Sequence, residues 1–237
     1  MVNTNPVVII TGASQGIGAG LVAGYRKLGY SVVANSRTIT DSDDSQIHAV
    51  AGDISEPGVG QSLVDAAVDR FGRVDALINN AGIFIAKPFT DYTDEDFDAI
   101  TGVNLRGFFD ATRAAIAAME EQGGGGHVVN VTTTLVEHAL AQVPSALASL
   151  TKGGLTAVTK ALATEFAARG IRTNAVALGI IRTPMHPEET HEFLDSLHPL
   201  GHMGDIDDVV NAVLYLEEAK FVTGEILHVD GGQHAGH

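Results

Sequence analysis

Cysteine is absent from the 237-residue chain, and basic side chains are scarce. Without cysteine the protein forms neither disulfide bonds nor a thiolate nucleophile, and this composition suits a cytoplasmic protein. Lysine and arginine number 14 against 29 aspartates and glutamates, which gives a formal net charge of -15. Because this charge repels phosphate backbones and anionic membrane surfaces, we expect no nucleic acid and no membrane as partners.

Long hydrophobic runs are missing as well. No segment approaches the roughly 18 uninterrupted apolar residues of a membrane-spanning helix. The N-terminal residues, M-V-N-T-N-P, lack the basic and apolar regions of a signal peptide and lead directly into an apolar strand. With 237 residues, of which 45% are hydrophobic, the chain is predicted to form one soluble domain over 1–237 with a well-buried core.

Short β-branched runs alternate with longer segments of helical spacing. The runs that predict strands are 7–11, 31–35, 47–51, 75–79, 128–132, 173–177 and 225–229. The segments that predict helices are 17–28, 59–71, 94–120, 145–169 and 205–218. This alternation predicts a parallel sheet covered by helices on both faces. The polar crossover T-I-T-D-S-D-D-S-Q, between the second and third strands, is too short for a full helix, which is unusual for a parallel connection.

A glycine-rich stretch, T-G-A-S-Q-G-I-G at 11–18, ends the first predicted strand and opens a helix. Glycines allow a tight turn and close approach to a pyrophosphate, whose charge then lies among the unpaired N–H groups of the helix N-terminus. An ordinary strand-to-helix turn is the alternative. Three glycines at this spacing after an apolar strand favour nucleotide binding.

Further motifs follow along nearly the whole chain. They are N-N-A-G at 79–82, V-N-L-R-G around Asn104, T-K-G-G around Lys152, T-P-M at 183–185 and V-D-G-G at 229–232. With the glycine-rich stretch, they make the chain resemble the short-chain dehydrogenase/reductase family. The resemblance implies a single-domain Rossmann fold, with a doubly wound seven-stranded parallel sheet in the order 3-2-1-4-5-6-7. It also implies a nicotinamide cofactor, a small carbonyl or alcohol substrate, a substrate lid near 185–204, and a homotetramer or dimer with helices 94–120 and 145–169 at an interface.

The resemblance also implies which residues bind the cofactor. They are Gly12, Ser14, Gln15, Gly16, Ile17, Gly18, Ser36, Arg37, Asp53, Ile54, Asn80, Ala81, Gly82, Lys152, Ile181 and Thr183. By the same resemblance Asp53 and Ile54 contact the adenine, and Thr183 holds the nicotinamide carboxamide. Leu178 stands before Gly179, where the family usually has proline.

Coenzyme choice depends on the end of the second strand, A-N-S-R. NAD-selective sites usually place an acidic residue there for the ribose 2′-hydroxyl, whereas this chain has Ser36 and Arg37. Arginine pairs well with a 2′-phosphate, so we expect NADP(H) in preference to NAD(H). Alternatively, Arg37 is a solvated surface charge that the nearby Asp41, Asp43 and Asp44 offset.

The stretch L-A-S-L-T-K-G-G, residues 147–154, departs from the family pattern. In the family a tyrosine protonates the substrate oxygen, and a lysine four residues later, on the same helix face, lowers the pKa of that tyrosine. Lys152 matches the lysine, whereas Ala148 occupies the tyrosine position, and none of the four tyrosines lies on this helix. Asn104 matches the family's asparagine. Thr133, with Thr134 second, matches the hydroxyl residue that orients the carbonyl.

The proton donor is therefore open. The candidates are a water held by Lys152, the Thr133 hydroxyl, Ser145, Ser149 and His138. Histidine is a competent proton donor because it titrates near neutral pH. Alternatively, His138 is an exposed loop residue with no role in catalysis. A positioned general acid raises the rate by a factor of about 10²–10⁴. Placement of the reactants lowers the activation free energy by about 7–11 kcal/mol, which is a larger effect. The missing phenol is thus expected to weaken activity without abolishing it.

Four histidines lie within the expected lid: His186, His191, His198 and His202. Proline and glycine interrupt this segment, and the spacing matches no regular ligand set. We therefore predict no metal site and expect the four histidines to shape a polar substrate pocket.

The leading interpretation is an NADP(H)-dependent carbonyl reductase or alcohol dehydrogenase with a non-tyrosine proton donor. Two alternatives stay open: an NADP(H)-binding protein with little or no redox activity, acting as a sensor or assembly partner, and an engineered Tyr-to-Ala variant. Lys152, Asn104 and Thr133 weigh against a binding-only role, because binding alone has no chemical need for them. A lyase or dehalogenase on the same fold is disfavoured, since such proteins lose the glycine-rich loop.

Overall fold

The computed structural model describes residues 5–236. Residue 237 lies outside the described residues, as do residues 1–4, which belong to the segment inspected for a signal peptide. Seven strands form one sheet in the order β3-β2-β1-β4-β5-β6-β7, and all pairings are parallel. The strands are β1 (Val7–Thr11), β2 (Ser31–Ser36), β3 (Ile47–Ala51), β4 (Ala76–Asn79), β5 (Gly126–Thr133), β6 (Ile171–Leu178) and β7 (Ile226–Val229). The predicted fold class and strand order are confirmed.

Helices cover both faces of this sheet. They are α1 (Gly16–Lys27), α2 (Val59–Phe71), α3 (Asp94–Thr101), α4 (Phe108–Gln122), α5 (Ala146–Phe166), α6 (His191–Asp195) and α7 (Ile206–Glu218). Residues of α1 and α7 form one apolar core with one face of the sheet, and residues of α2, α4 and α5 form the other core. Because both faces are covered, β1 is apolar over four of its five residues and buried throughout.

The predicted helix 94–120 is interrupted in the structure. A π-helical segment, Gly102–Gly107, separates α3 from α4. Glycine at both ends lowers the local preference for a regular α-helix, and the Asn104 side chain bonds to neighbouring segments instead of facing solvent. Such segments occur often at functional sites, and helical periodicity alone did not reveal this one.

Two other connections bear on the predictions. Residues 37–46, between β2 and β3, contain no helix, as the short polar crossover predicted. Strands β5 and β6 each run over eight residues, from Gly126 to Thr133 and from Ile171 to Leu178, and are longer than predicted. Their carboxyl ends therefore extend to the residues that line the cavity described below.

At the opposite end of the sheet, Glu217 joins α7 to the strands. Its buried carboxylate accepts hydrogen bonds from His127 Nδ1 at 2.9 Å, Tyr30 Oη at 2.9 Å and Tyr25 Oη at 3.3 Å. Burial opposes the charge, but the hydrogen bond from His127 and the nearby Lys220 and Tyr30 hold the pKa of Glu217 below its usual range. None of the helices among the described residues has both the length and the apolar character needed to cross a bilayer.

Candidate active site

A cavity of about 1220 Å³ opens at the carboxyl ends of the strands. Residues that follow β1, β2, β4, β5 and β6 line it. This is the position at which open α/β sheets bind ligands, where the strand order reverses between β1 and β4. Its volume exceeds the roughly 300–1,000 Å³ of ordinary small-molecule pockets, so it has room for a large ligand and a second, smaller one.

The glycine-rich loop forms one wall of this cavity. Gly12 and Gly16 have φ angles of 66° and 54°, a conformation that favours glycine. A Cβ on Gly18 would lie 2.1 Å from the carbonyl oxygen of Gly12, so only glycine allows this close approach. Gln15 precedes α1 without a side-chain cap, and the first turn of α1 has no acidic residue. The helix N-terminus is therefore open to an anion, and it fits a pyrophosphate.

Asn80 holds this loop in place. Its Nδ2 donates to the carbonyl oxygens of Thr11 at 2.8 Å and Gly12 at 3.1 Å. In return Thr11 Oγ1 accepts the backbone N–H groups of Asn80 at 3.1 Å and Ala81 at 3.0 Å. The N-N-A-G motif thus joins the end of β4 to the end of β1, and Asn80, Ala81 and Gly82 all line the cavity.

The far end of the cavity lies beyond β2 and β3. Ser36, Arg37, Asp53 and Ile54 line it together. The Arg37 side chain is 77% exposed, and its guanidinium lies 4.0 Å from the Asp53 carboxylate. Hydrogen bonds from Ser55 lower the pKa of Asp53. Of the three aspartates considered as alternative partners of Arg37, Asp44 pairs with Arg26 instead, at 2.8 Å.

Lys152 lies at the opposite end of the cavity, on α5. Its Nζ donates to the carbonyl oxygen of Val131 at 2.7 Å. A Cβ on Gly82 would lie 2.9 Å from the same Nζ, so glycine at 82 leaves the room that the ammonium occupies. Desolvation lowers the pKa of Lys152 to about 8. Ala148, one turn earlier on α5, lines the same cavity and is 1% exposed.

Asn104 lies behind the cavity wall. Its Nδ2 donates to the carbonyl oxygen of Ile83 and to Thr151 Oγ1, both at 3.1 Å, and its Oδ1 accepts the Ile83 N–H at 3.0 Å. The side chain is buried and is not one of the groups that line the cavity. It therefore joins the 82–83 segment to α5, and its position suits a supporting residue.

The structure separates the two threonines proposed for the hydroxyl position. Thr133 lines the cavity, and its Oγ1 accepts the Leu135 N–H at 3.3 Å. Thr134 is fully buried and donates to Gln233 Oε1 at 2.8 Å. Of the two threonines, Thr133 is therefore the one whose side chain a ligand in the cavity would contact.

The other proposed proton donors lie elsewhere. Ser145, Ser149 and His138 are not among the residues that line the cavity. Ser149 Oγ donates to the carbonyl oxygen of Leu135 at 3.3 Å, so this hydroxyl joins α5 to the turn that follows β5. A histidine does reach the cavity, but it is His186, whose pKa burial lowers.

The expectation that four lid histidines shape the pocket is wrong for three of them. His198 is 3% exposed, accepts the Ile180 N–H at Nε2 and hydrogen-bonds Leu194 through Nδ1, so it supports the backbone. The rings of His191 and His202 contact backbone carbonyl oxygens. Among residues 5–236, no group of three or more histidine, aspartate or glutamate side chains could hold a metal ion.

One of the residues expected to bind the cofactor does not line the cavity with its side chain. Ile181 is 4% exposed, belongs to the core formed with α7 and does not line the cavity. Its neighbour Ile180 does, because successive residues of extended chain point to opposite sides. Thr183 lines the cavity as expected, as do Ser14, Gln15 and Ile17.

Sequence reasoning missed a group of apolar residues that also line the cavity: Phe84, Leu135, Leu140, Val143, Met185, Phe193 and Leu194. They come from separate segments of the chain, and all except Met185 of T-P-M lie outside the motifs. The available signal was weak: Met185 and Phe193 are large apolar residues with mostly polar neighbours, whereas Phe84 lies in the apolar stretch A-G-I-F-I-A.

Comparison with known proteins accounts for this arrangement. A family model described as enoyl-(acyl carrier protein) reductase matches residues 12–234. The chain belongs to the short-chain dehydrogenase/reductase family. Over 243 residues it is 35% identical to a (2S)-[(R)-hydroxy(phenyl)methyl]succinyl-CoA dehydrogenase subunit of Thauera aromatica. The match covers 97% of this chain and 96% of that relative.

Solved structures of this family show the same fold. ElxO with NADP bound has a TM-score of 0.91 and 29% identity, covering 98% of this chain and 100% of that one. A 3-ketoacyl-(acyl-carrier-protein) reductase from Brucella melitensis, complexed with NADH, has a TM-score of 0.86 and 33% identity over 97% and 98% of the two chains. These relatives support a short-chain dehydrogenase/reductase that acts as an oxidoreductase with a nicotinamide cofactor. Both coenzymes occur among them.

Proposed function

We propose that this protein is an NADP(H)-dependent carbonyl reductase or alcohol dehydrogenase that works without the family's tyrosine, whose place Ala148 takes. The observation that carries the proposal is the position of Lys152, whose ammonium lies in the cavity wall beside Val131 and Gly82. The same cavity contains the open N-terminus of α1 and the Thr133 hydroxyl.

The residues present fit a nicotinamide dinucleotide. The glycine-rich loop at 11–18 would hold the pyrophosphate, Asp53 and Ile54 the adenine, Asn80 to Gly82 the adjoining ribose, and Thr183 the carboxamide. When bound, the nicotinamide supplies a hydride to a carbonyl carbon or accepts one from an alcohol. Lys152 would hold the nicotinamide ribose and face the substrate oxygen.

Proton transfer then falls to Lys152. An ammonium has three N–H donors, and the Val131 carbonyl occupies one of them. The methyl group of Ala148 leaves room beside Nζ for a water, through which the ammonium can protonate the substrate oxygen while Thr133 Oγ donates to the same oxygen. A pKa of about 8 suits this role, since the group is mostly charged at pH 7 yet releases a proton readily.

The coenzyme preference rests on Arg37 and Ser36. The guanidinium is mostly exposed, and its nearest carboxylate, that of Asp53, lies at 4.0 Å. Arg37 is therefore available for a 2′-phosphate, and β2 ends without an acidic residue that would bind a 2′-hydroxyl.

We also propose a homodimer or homotetramer. Phe109 on α4 and Leu150 on α5 are 53% and 60% exposed, and large apolar groups at this exposure favour burial against another subunit. Light scattering coupled to size exclusion tests this proposal, and a monomer at micromolar concentration would reject it.

The central experiment measures NADPH oxidation with a panel of aldehydes, ketones and diketones. Wild type is compared with Lys152→Ala and with Lys160→Ala, an exposed lysine on the same helix that serves as the matched control. We expect turnover that Lys152→Ala reduces at least about 100-fold and Lys160→Ala leaves unchanged. Tight NADPH binding without turnover of any substrate would instead support a binding protein, the alternative that the missing phenol favours.

A further inference from the structure

We propose that the substrate is a neutral ketone or secondary alcohol with a largely apolar body, and that the site discriminates against anionic substrates such as carboxylates and acyl-CoA thioesters. This inference rests on the proposed function, because it concerns the substrate half of the same cavity. Three features of that half carry it: its apolar side chains, the lack of any lysine or arginine other than Lys152 in its lining among the described residues, and the acidity of the neighbouring lid segment.

Large apolar side chains surround the entrance to the substrate half. Phe84, Met185 and Phe193 are 38%, 58% and 49% exposed, although all three line the cavity. Leu135 and Leu194 continue the same surface inward. Because water contacts much of this surface in the free protein, an apolar substrate gains free energy by covering it.

Cations are scarce in the cavity. Among the described residues, Arg37 and Lys152 are the basic side chains that line it. Arg37 follows β2 and Lys152 contacts β5, so that β1 and β4 separate them. Lys152 is needed at the reacting oxygen and Arg37 at the coenzyme, which leaves no cation for a carboxylate or phosphate on the substrate.

The basic residues next to the cavity are already paired. Lys87 bonds the Asp96 carboxylate. Arg182 lies 3.3 Å from the Asp205 carboxylate and 3.6 Å from that of Asp195. If either cation moved to bind an anionic substrate, a protein carboxylate would lose its partner. The free energy gained from the new contact would therefore be largely cancelled, and the cost of desolvating the anionic substrate would remain.

The lid segment beside the cavity is acidic instead. The lid segment, residues 185–204, contains Glu188, Glu189, Glu192 and Asp195 but neither lysine nor arginine. Asp98 lines the cavity from α3. With the net charge of -15, these carboxylates lower the local concentration of anions and raise that of neutral or cationic molecules.

The polar groups in the substrate half are mostly neutral. Gln142 and His186 line it, whereas the amide of Gln233, which also lines the cavity, is already bonded to Thr134 and Leu197. Burial, and then the neighbouring His191, lower the pKa of His186, which favours the uncharged ring. Such groups hydrogen-bond a hydroxyl or carbonyl group without supplying the charge that an anion requires.

A matched substrate pair tests the inference: methyl benzoylformate, which is neutral, and benzoylformate, its carboxylate. We expect kcat/KM with NADPH to be at least about 100-fold higher for the ester, because the carboxylate loses hydration without gaining a partner. Added salt should raise kcat/KM for the acid and leave that for the ester unchanged, since salt screens the repulsion. Equal or faster turnover of the acid would overturn the inference while leaving the proposed function intact.

Two variants sharpen the test. Phe193→Lys places a cation at the entrance and should narrow the ester-to-acid ratio at least about tenfold, mainly by lowering KM for the acid. Phe221→Lys adds the same charge at a fully exposed position away from the cavity and should leave the ratio unchanged. A ratio that responds equally to both variants would indicate only the effect of net charge and would contradict the inference.

Failure of the proposed function has a different signature. If neither compound is turned over, binding to the NADP⁺ complex is measured by thermal shift with methyl mandelate and mandelate, the corresponding alcohols. Stabilisation by the ester alone supports the inference for a binding protein, and stabilisation by the acid, by both compounds or by neither one rejects it. Direct NADP⁺ titration confirms in parallel that the complex has formed.

Discussion

Lys152 and Gly82 meet at the cavity wall, where a Cβ on residue 82 would lie only 2.9 Å from the lysine Nζ. The ammonium, the Val131 carbonyl and the glycine thus form one packed unit. Gly82 has no left-handed φ, so alanine is compatible with its backbone, and the effect of a substitution there would come from the lysine.

Gly82→Ala is therefore expected to displace Nζ from Val131 and to lower kcat/KM for reduction roughly 10-fold. Stability should change by less than about 1 kcal/mol, because the displaced atom is the end of a flexible side chain. Steady-state kinetics and thermal unfolding check both parts. As a control, Gly29→Ala changes a glycine whose added Cβ would meet no atom within 4 Å, and it should leave kcat/KM unchanged despite its strained φ of 86°. Unaltered kinetics in Gly82→Ala would show that the lysine position is unimportant.

Ala148→Tyr should restore a phenol one helical turn before Lys152. A positioned acid contributes about 10²–10⁴ in rate, and we expect an increase within that range in kcat for ketone reduction. Ala148→Phe is the matched control, since it adds the ring without the hydroxyl. Because Ala148 packs against Ile100 and Leu147, both variants are first compared for NADPH binding and melting temperature. Equal rates for Tyr and Phe would argue against Ala148 as the vacated acid position.

The pH dependence of reduction should follow Lys152. Desolvation lowers its pKa to about 8, and in the proposed reaction the protonated form supplies the proton. The rate of reduction is therefore expected to fall as pH rises through about 8, whereas alcohol oxidation should rise over the same interval. Lys152→Met should remove this dependence from the residual activity. A pH profile that is identical in wild type and variant would assign the titration to another group.

Arg37→Ala tests the coenzyme preference. Loss of the pair with the 2′-phosphate should weaken NADPH binding about 10- to 100-fold and leave NADH binding nearly unchanged. Isothermal titration with each coenzyme measures both constants. Arg70→Ala, on the exposed surface of α2, is the control. Tighter binding of NADH than NADPH to the wild type would reject the preference.

Glu217→Gln tests how much the polar cluster at the end of the sheet opposite the cavity contributes to stability. The amide keeps the shape of the side chain but loses the charge that His127 and Tyr30 stabilise, and we expect about 1–3 kcal/mol of destabilisation. Because the pKa of Glu217 is lowered on folding, its contribution is present above the unfolded pKa and is lost as pH falls through the folded one. Melting temperatures from pH 7 to pH 3 should therefore converge for wild type and variant. Glu218→Gln, the exposed neighbour, should have little effect at any pH.

Prediction from sequence succeeded where a local pattern has one physical solution. The glycine spacing at 11–18 predicted the tight loop before α1, and the β-branched runs predicted seven strands in a parallel sheet. It failed at three of the four lid histidines, because residue type and spacing do not indicate which side chains of an irregular segment face a cavity. The π-helical segment around Asn104 was missed for a similar reason, since its geometry depends on contacts with Ile83 and Thr151.

The sequence by itself determined the fold, the phosphate loop and the presence of Lys152 four residues after an alanine, because these follow from short-range spacing and residue type. Only the tertiary structure decided which groups share the cavity. It selected Thr133 over Thr134, left His138 out of the lining, and brought Phe84 and Phe193, which are more than a hundred residues apart in sequence, to the lining of one cavity. Such choices depend on packing between distant segments, to which local sequence patterns are insensitive.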